Sequence, residues 1–156
     1  MIYLDIETNL RHDTIWLNVT KKADEVIHWR GQPGLQAYLN GNKLVAHNGI
    51  GFDYPLLRQI WGVQIRKQQA IDTLIMSRLL NPVIEGGHSL KAWGKRLGVE
   101  KLEFDVTDFD AGYTPEMATY CERDVYLLEK LHKHLETAFS YWPDSGIKPL
   151  ELEHEV

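Results

Sequence analysis

Apolar and polar positions along this chain change period part-way through. Ile2 to Glu7 reads as a buried strand, and Thr14 to Val19 and Glu25 to Trp29 alternate with period two, with polar turns between them. An antiparallel meander is therefore expected in the first third. A short helical run, LQAYL, follows Gly34, and the turn Asn40-Gly41-Asn42 leads into an apolar strand, Leu44 to Ala46, and then His47-Asn48-Gly49. Beyond this point the spacing is helical. Phe52 to Trp61 fits a helix with Pro55 in its first turn, and Asp72 is placed to cap Thr73 to Leu80 before Asn81-Pro82 stops it. After a loop from Val83 to Gly87, Ser89 caps Leu90 to Leu97, and Gly98 ends that helix where a left-handed residue is needed. An acidic, strand-poor stretch precedes Thr114-Pro115-Glu116. These three supply an N-cap, a first-turn proline and an acidic residue for the longest helix, running to about Phe139.

Strands first and helices after imply an α/β fold, a mixed β-sheet covered by α-helices in the ribonuclease H-like layout. The 156 residues suit one domain, expected over 1–140, with apolar residues at 44% and charged residues at 25% near globular averages. Tyr141 to Val156, with two prolines and a glycine before Leu150-Glu151-Leu152, reads as a linker entering another element. No long apolar run or export signal is present, so no membrane partner and a cytoplasmic location are expected. The lone Cys121 excludes an internal disulfide and a cysteine-based zinc site.

Asp5 and Glu7 are two apart on a strand, so they project from one face about 6.6 Å apart at the backbone. Two converging carboxylates repel, and a hard, oxygen-ligated cation such as Mg²⁺ or Mn²⁺ would hold them together; a solvated edge strand is the plainer alternative. Tyr120 and Asp124 stand i,i+4 on the long helix, beside an apolar stripe of Leu127, Leu128 and Leu131. In His47 to Leu57 a strand ends, two glycines free the backbone, and Asn48, Phe52 and Asp53 open a helix. A helix-dipole role for Asp53 and a core role for Phe52 would explain each singly.

In order, DIET (Asp5 to Thr8), Asn48-x-x-x-Phe52-Asp53 and Tyr120-x-x-x-Asp124 resemble the three motifs of the DEDD superfamily of 3′→5′ exonucleases, in the branch whose third motif carries a tyrosine. The segments IDTLIMSRLLNP, GHSLKAWGKRLG and DFDAGYTPEMATYCERDV look most like the proofreading exonuclease domain of phage family A DNA polymerases, and LELEHEV resembles the start of their polymerase portion. The resemblance implies two divalent ions, Mg²⁺ or Mn²⁺, with Asp5 bridging them, Glu7 and Asp124 completing one site and Asp53 holding the second. Tyr120 would orient the attacking water. Single-stranded DNA 3′ ends are the implied substrate, with Thr8, Asn48 and Phe52 as contacts, nucleoside 5′-monophosphates as products and a DNA polymerase subunit as a candidate partner. If the chain is phage-encoded, its compartment is the bacterial host cytoplasm.

A net charge of −5 is unusual for a nucleic-acid enzyme, but two divalent ions would cancel the four ligand charges. His47 and His88 are read as structural hydrogen-bonding residues, and Trp61 and Trp93 as members of helical core stripes. Arg58, Arg66, Lys67, Lys91, Lys95 and Arg96 are candidates for steering DNA, with solvated helix faces the ordinary reading. The rival functions are an exoribonuclease resembling ribonuclease D, and a catalytically idle domain that binds nucleic acid or a polymerase.

Overall fold

The computed structural model describes residues 1–99 and 106–141. Its centre is a five-stranded mixed sheet in the order β3-β2-β1-β4-β5. Strands β1 (Ile2–Thr8), β2 (Ile15–Lys22) and β3 (Glu25–Trp29) form the expected antiparallel meander, and β4 (Leu44–Ala46) and β5 (Ala70–Asp72) add parallel to β1. The helices are α1 (Leu35–Leu39), α2 (Tyr54–Trp61), α3 (Thr73–Leu80), α4 (Leu90–Leu97) and α5 (Pro115–Ser140).

Alternation along β1 divides the core. Ile2, Leu4 and Ile6 join Leu44 and Ala46 under α1 and α2, packed on Leu35, Leu39, Tyr54 and Leu57. Tyr3, Leu17, Val19, Val45 and Ile71 face the other way, against Met76, Trp93 and the α5 residues Cys121, Val125, Leu128 and Leu131. Because side chains on a strand alternate, Asp5 and Glu7 share the face of Tyr3 that lies under α5.

The helix caps fall where the side-chain chemistry places them. Asp72, Ser89 and Thr114 accept the N–H groups of Leu74, Ala92 and Met117, and Gly98 closes α4 at φ 72°.

Three expectations need correction. The second strand runs to Lys22 rather than ending at Val19, because both neighbours continue its ladder and the Lys21 amine is neutralised 2.8 Å from Glu129. The helix expected from Phe52 begins as a π-helical turn, Gly49–Asp53, and becomes α-helical at Tyr54. Strand β5 was not expected. At three residues, all buried, it shows no alternation to detect.

Ahead of α5, a 3₁₀ turn (Val106–Ala111) covers the β1–β2 hairpin, where Trp16 Nε1 donates to the Phe109 carbonyl at 2.6 Å and Arg30 stacks over Tyr113 at 3.6 Å. The linker expected beyond Tyr141 lies outside the described residues. Among the described residues no helix is long and apolar enough to cross a membrane.

Candidate active site

At the C-terminal end of β1 the ligand atoms of Asp5, Glu7 and Cys121 all lie within 4.8 Å of one another. Asp5 is half-buried and Glu7 is buried. Helix α5 lays Cys121 over the pair, and its thiol donates to the Asp5 backbone oxygen and to Asp5 Oδ2, each at 3.5 Å. Burial pushes the thiol pKa up well above its ordinary value, helped by the charges of Asp5, Glu7 and Asp124. Without a metal the group is therefore an S–H donor. Asp124, one helical turn past the half-buried Tyr120, is itself buried. Three carboxylates thus act on one thiol.

Asp53 approaches from the other side, outside that tight group. Strand β4 ends at Ala46, so the N–H of Ile6 has no strand partner there, and Asp53 Oδ2 accepts it at 3.2 Å. The aspartate stands level with the residue between Asp5 and Glu7. Its burial raises its pKa to about 7; the N–H groups of Ile6 and of Asp53 itself oppose the rise, and the charge of Asp72 adds to it. A like-charged, desolvated set of oxygen donors is what a hard divalent cation neutralises. The donor chemistry therefore fits a hard divalent cation.

No family model matches the sequence. The chain is 27% identical over 142 residues to the DNA-directed DNA polymerase of Escherichia phage T7, a match covering 66% of this chain and 20% of the polymerase. It is 32% identical over 110 residues to the PolC-type DNA polymerase III of Ureaplasma parvum serovar 3, covering 69% of this chain and 6% of that protein. The chain thus spans a fifth or less of these relatives' length. Among solved structures, an apo-form nuclease superposes with a TM-score of 0.76 at 23% identity, over 99% of this chain and 77% of that one. NrnC of Brucella melitensis gives 0.73 at 20% identity, over 99% and 82%. Its likeness to these polymerases in sequence and to these nucleases in fold agrees with the resemblance to the DEDD superfamily of 3′→5′ exonucleases. Its fold is the expected ribonuclease H-like one.

The predicted substrate contacts differ in exposure and in their local partners. Thr8 is buried at the end of β1, its hydroxyl 2.9 Å from the Asn9 carbonyl oxygen and 3.0 Å from His12 Nδ1. Phe52 is half-buried and meets the His12 ring edge-on at 5.0 Å. Asn48 is exposed and left-handed at φ 62°. Gly49 must be glycine, since a Cβ there would stand 2.7 Å from both the Ala46 Cβ and the Tyr54 ring.

His47 and His88 have structural partners, as expected. His47 spans Thr73 Oγ1 at 2.8 Å and the His88 carbonyl at 2.9 Å, and His88 Nδ1 meets Ser77 Oγ at 2.6 Å. Trp93 is core and Trp61 packs at its margin. Arg96 is held by the Glu85 and Gly87 carbonyls, while Arg58, Arg66, Lys67, Lys91 and Lys95 are exposed. Sequence reasoning missed Cys121 and His12 as neighbours of the site and read Asp72 only as a helix cap. The partners of Cys121 and of the Asp72 carboxylate, and the Phe52 ring that meets His12, lie far along the chain and leave no local pattern.

Proposed function

We propose that this domain hydrolyses the terminal phosphodiester at the 3′ end of single-stranded DNA and releases nucleoside 5′-monophosphates. The observation that carries the reading is the cluster of Asp5, Glu7 and the Cys121 thiol at the end of β1, with buried Asp124 on the helix that supplies Cys121 and Asp53 docked at Ile6 between the two strand carboxylates. Two divalent ions, Mg²⁺ or Mn²⁺, would be held by Asp5, Glu7 and Asp124 on one side and by Asp53 on the other. When bound, such a pair stabilises charge on the attacking and leaving oxygens of an in-line displacement at phosphorus.

The chain's own residues do the positioning. Tyr120 orients the attacking water through its hydroxyl, since a phenol with an ordinary pKa of about 10 is a poor base at neutral pH. Thr8 and Asn48 hold the terminal nucleotide, and Phe52, steadied by His12, stacks on a base. Similarity in sequence to DNA polymerases supports DNA as the substrate and proofreading or DNA degradation in phage replication as the task. It also supports a polymerase as partner and the host cytoplasm as the compartment. Residues 1–140 form the exonuclease domain in this reading, and 141–156 lead toward a polymerase portion.

Matched DNA and RNA oligomers of one sequence, digested in Mn²⁺, test the substrate. DNA is expected to shorten faster. RNA shortened as fast or faster would make the domain an exoribonuclease.

A further inference from the structure

The turn that carries Asn48, Phe52 and Asp53 is held by little regular pairing. Asn48 is left-handed, and Gly49–Asp53 winds as a π-helical turn closed by Phe52 N donating to the Asn48 carbonyl at 2.9 Å. Two of its N–H groups converge on one carboxylate. Asp72 Oδ1 accepts from Asn48 N at 2.8 Å and Oδ2 from Ile50 N at 3.1 Å, while Oδ1 also accepts from Leu74 N at 2.9 Å as the cap of α3. Capping of α3 accounts for the bonds from Leu74 and Ile75. The other two cross to the turn, 22 and 24 residues away. Asp72 is 1% exposed, is the last residue of β5 and pairs in register with Ala46, which ends β4 just before the turn. A buried, strand-borne acceptor therefore sets the position of the turn's first residues, and Asp53 at its end reaches Ile6.

We propose that Asp72 is a positioning residue for catalysis: it locks the π-helical turn so that Asp53 faces Asp5 and Glu7, without itself touching metal or substrate. This rests on the reading of Asp53 as a metal ligand given above. The turn needs two acceptor oxygens on a rigid element, and a carboxylate supplies them where an amide supplies one. Asp72→Asn offers one oxygen and an NH₂ group that cannot accept, so at least one bond to the turn is lost.

The test is Mn²⁺ binding, counted by electron paramagnetic resonance and titration, on folded wild type, Asp72→Asn, Asp53→Asn and the double variant. Wild type is expected to bind two ions. Asp72→Asn should weaken one of them by about 10–100-fold, the range for losing an outer partner of a metal site, and leave the other unchanged. The double variant should lose no more than Asp53→Asn alone. Ser89→Ala removes a helix cap of the same kind on α4 and is expected to lower thermal stability with Mn²⁺ binding intact. Should Asp72→Asn not fold, Ile50→Pro carries the test, because it deletes one N–H of the clamp and keeps both the carboxylate and the cap of α3. Two ions bound by folded Asp72→Asn as tightly as by wild type, or both weakened equally, would overturn the positioning role alone. Wild type that binds no Mn²⁺ would overturn the metal-site reading beneath it.

Discussion

Asp5→Ala is expected to reduce hydrolysis of single-stranded DNA by more than about 100-fold, because loss of an outer partner of a metal site alone costs about 10–100-fold and Asp5 is proposed to contact the ions directly. Asp5 is the carboxylate that contacts the Cys121 thiol, and it stands on the central strand beside Glu7. Removing it also relieves repulsion with Glu7, so the variant should fold at least as stably as wild type without metal. That separates a catalytic loss from unfolding. Tyr120→Phe should cost less, about 10–100-fold, at or below the low end of what a positioned proton-transfer group contributes, because Tyr120 orients the water and takes no proton. Single-turnover rates beside thermal melts of each variant check both. A large loss in Tyr120→Phe with near-wild-type activity in Asp5→Ala would reverse the assigned roles.

The second large effect is on stability in EDTA. Asp53 is almost fully buried and its pKa is lifted from 3.8 to about 7, chiefly by desolvation. For an acid whose folded pKa is raised, the stabilising difference is complete below the unfolded pKa and is lost as pH rises through the folded one. The metal-free protein should therefore weaken between about pH 4 and pH 7 through this group. At about 1.4 kcal/mol per pH unit between the two values, the loss has an upper bound of about 4 kcal/mol. Asp53→Asn removes the titration and keeps an oxygen for the Ile6 N–H. In EDTA it should match wild type at or below about pH 4 and exceed it near pH 8, where adding Mn²⁺ raises the wild-type melting temperature and leaves the variant's less changed. Parallel melting profiles for wild type and Asp53→Asn across this range would show that Asp53 carries no such cost.

Much of this architecture was legible because it is local. The caps Asp72, Ser89 and Thr114 announce their helices within three residues, and the period-two pattern of β1 puts Asp5 and Glu7 on one face. Tyr120 and Asp124 share a helix face for the same reason of spacing. What stayed hidden is set by distance along the chain. Cys121 meets Asp5 across 116 residues, and the clamp from Asp72 to the π-helical turn spans 22 and 24. Strand β5 is too short for a period, and the π-helical turn differs from a helix start in backbone winding and not in residue pattern. Lys21 and Lys22 look like a turn in sequence and become strand because β1 and β3 continue beside them.

The central claim is that these carboxylates serve metal-dependent hydrolysis from a 3′ end, and its most direct test is a 5′-labelled single-stranded DNA oligomer incubated with the protein in Mg²⁺, Mn²⁺ or EDTA. The account predicts a ladder that shortens stepwise from the 3′ end in either metal, yields nucleoside 5′-monophosphates and disappears in EDTA. An oligomer left at full length in both metals, or shortened equally in EDTA, would contradict it.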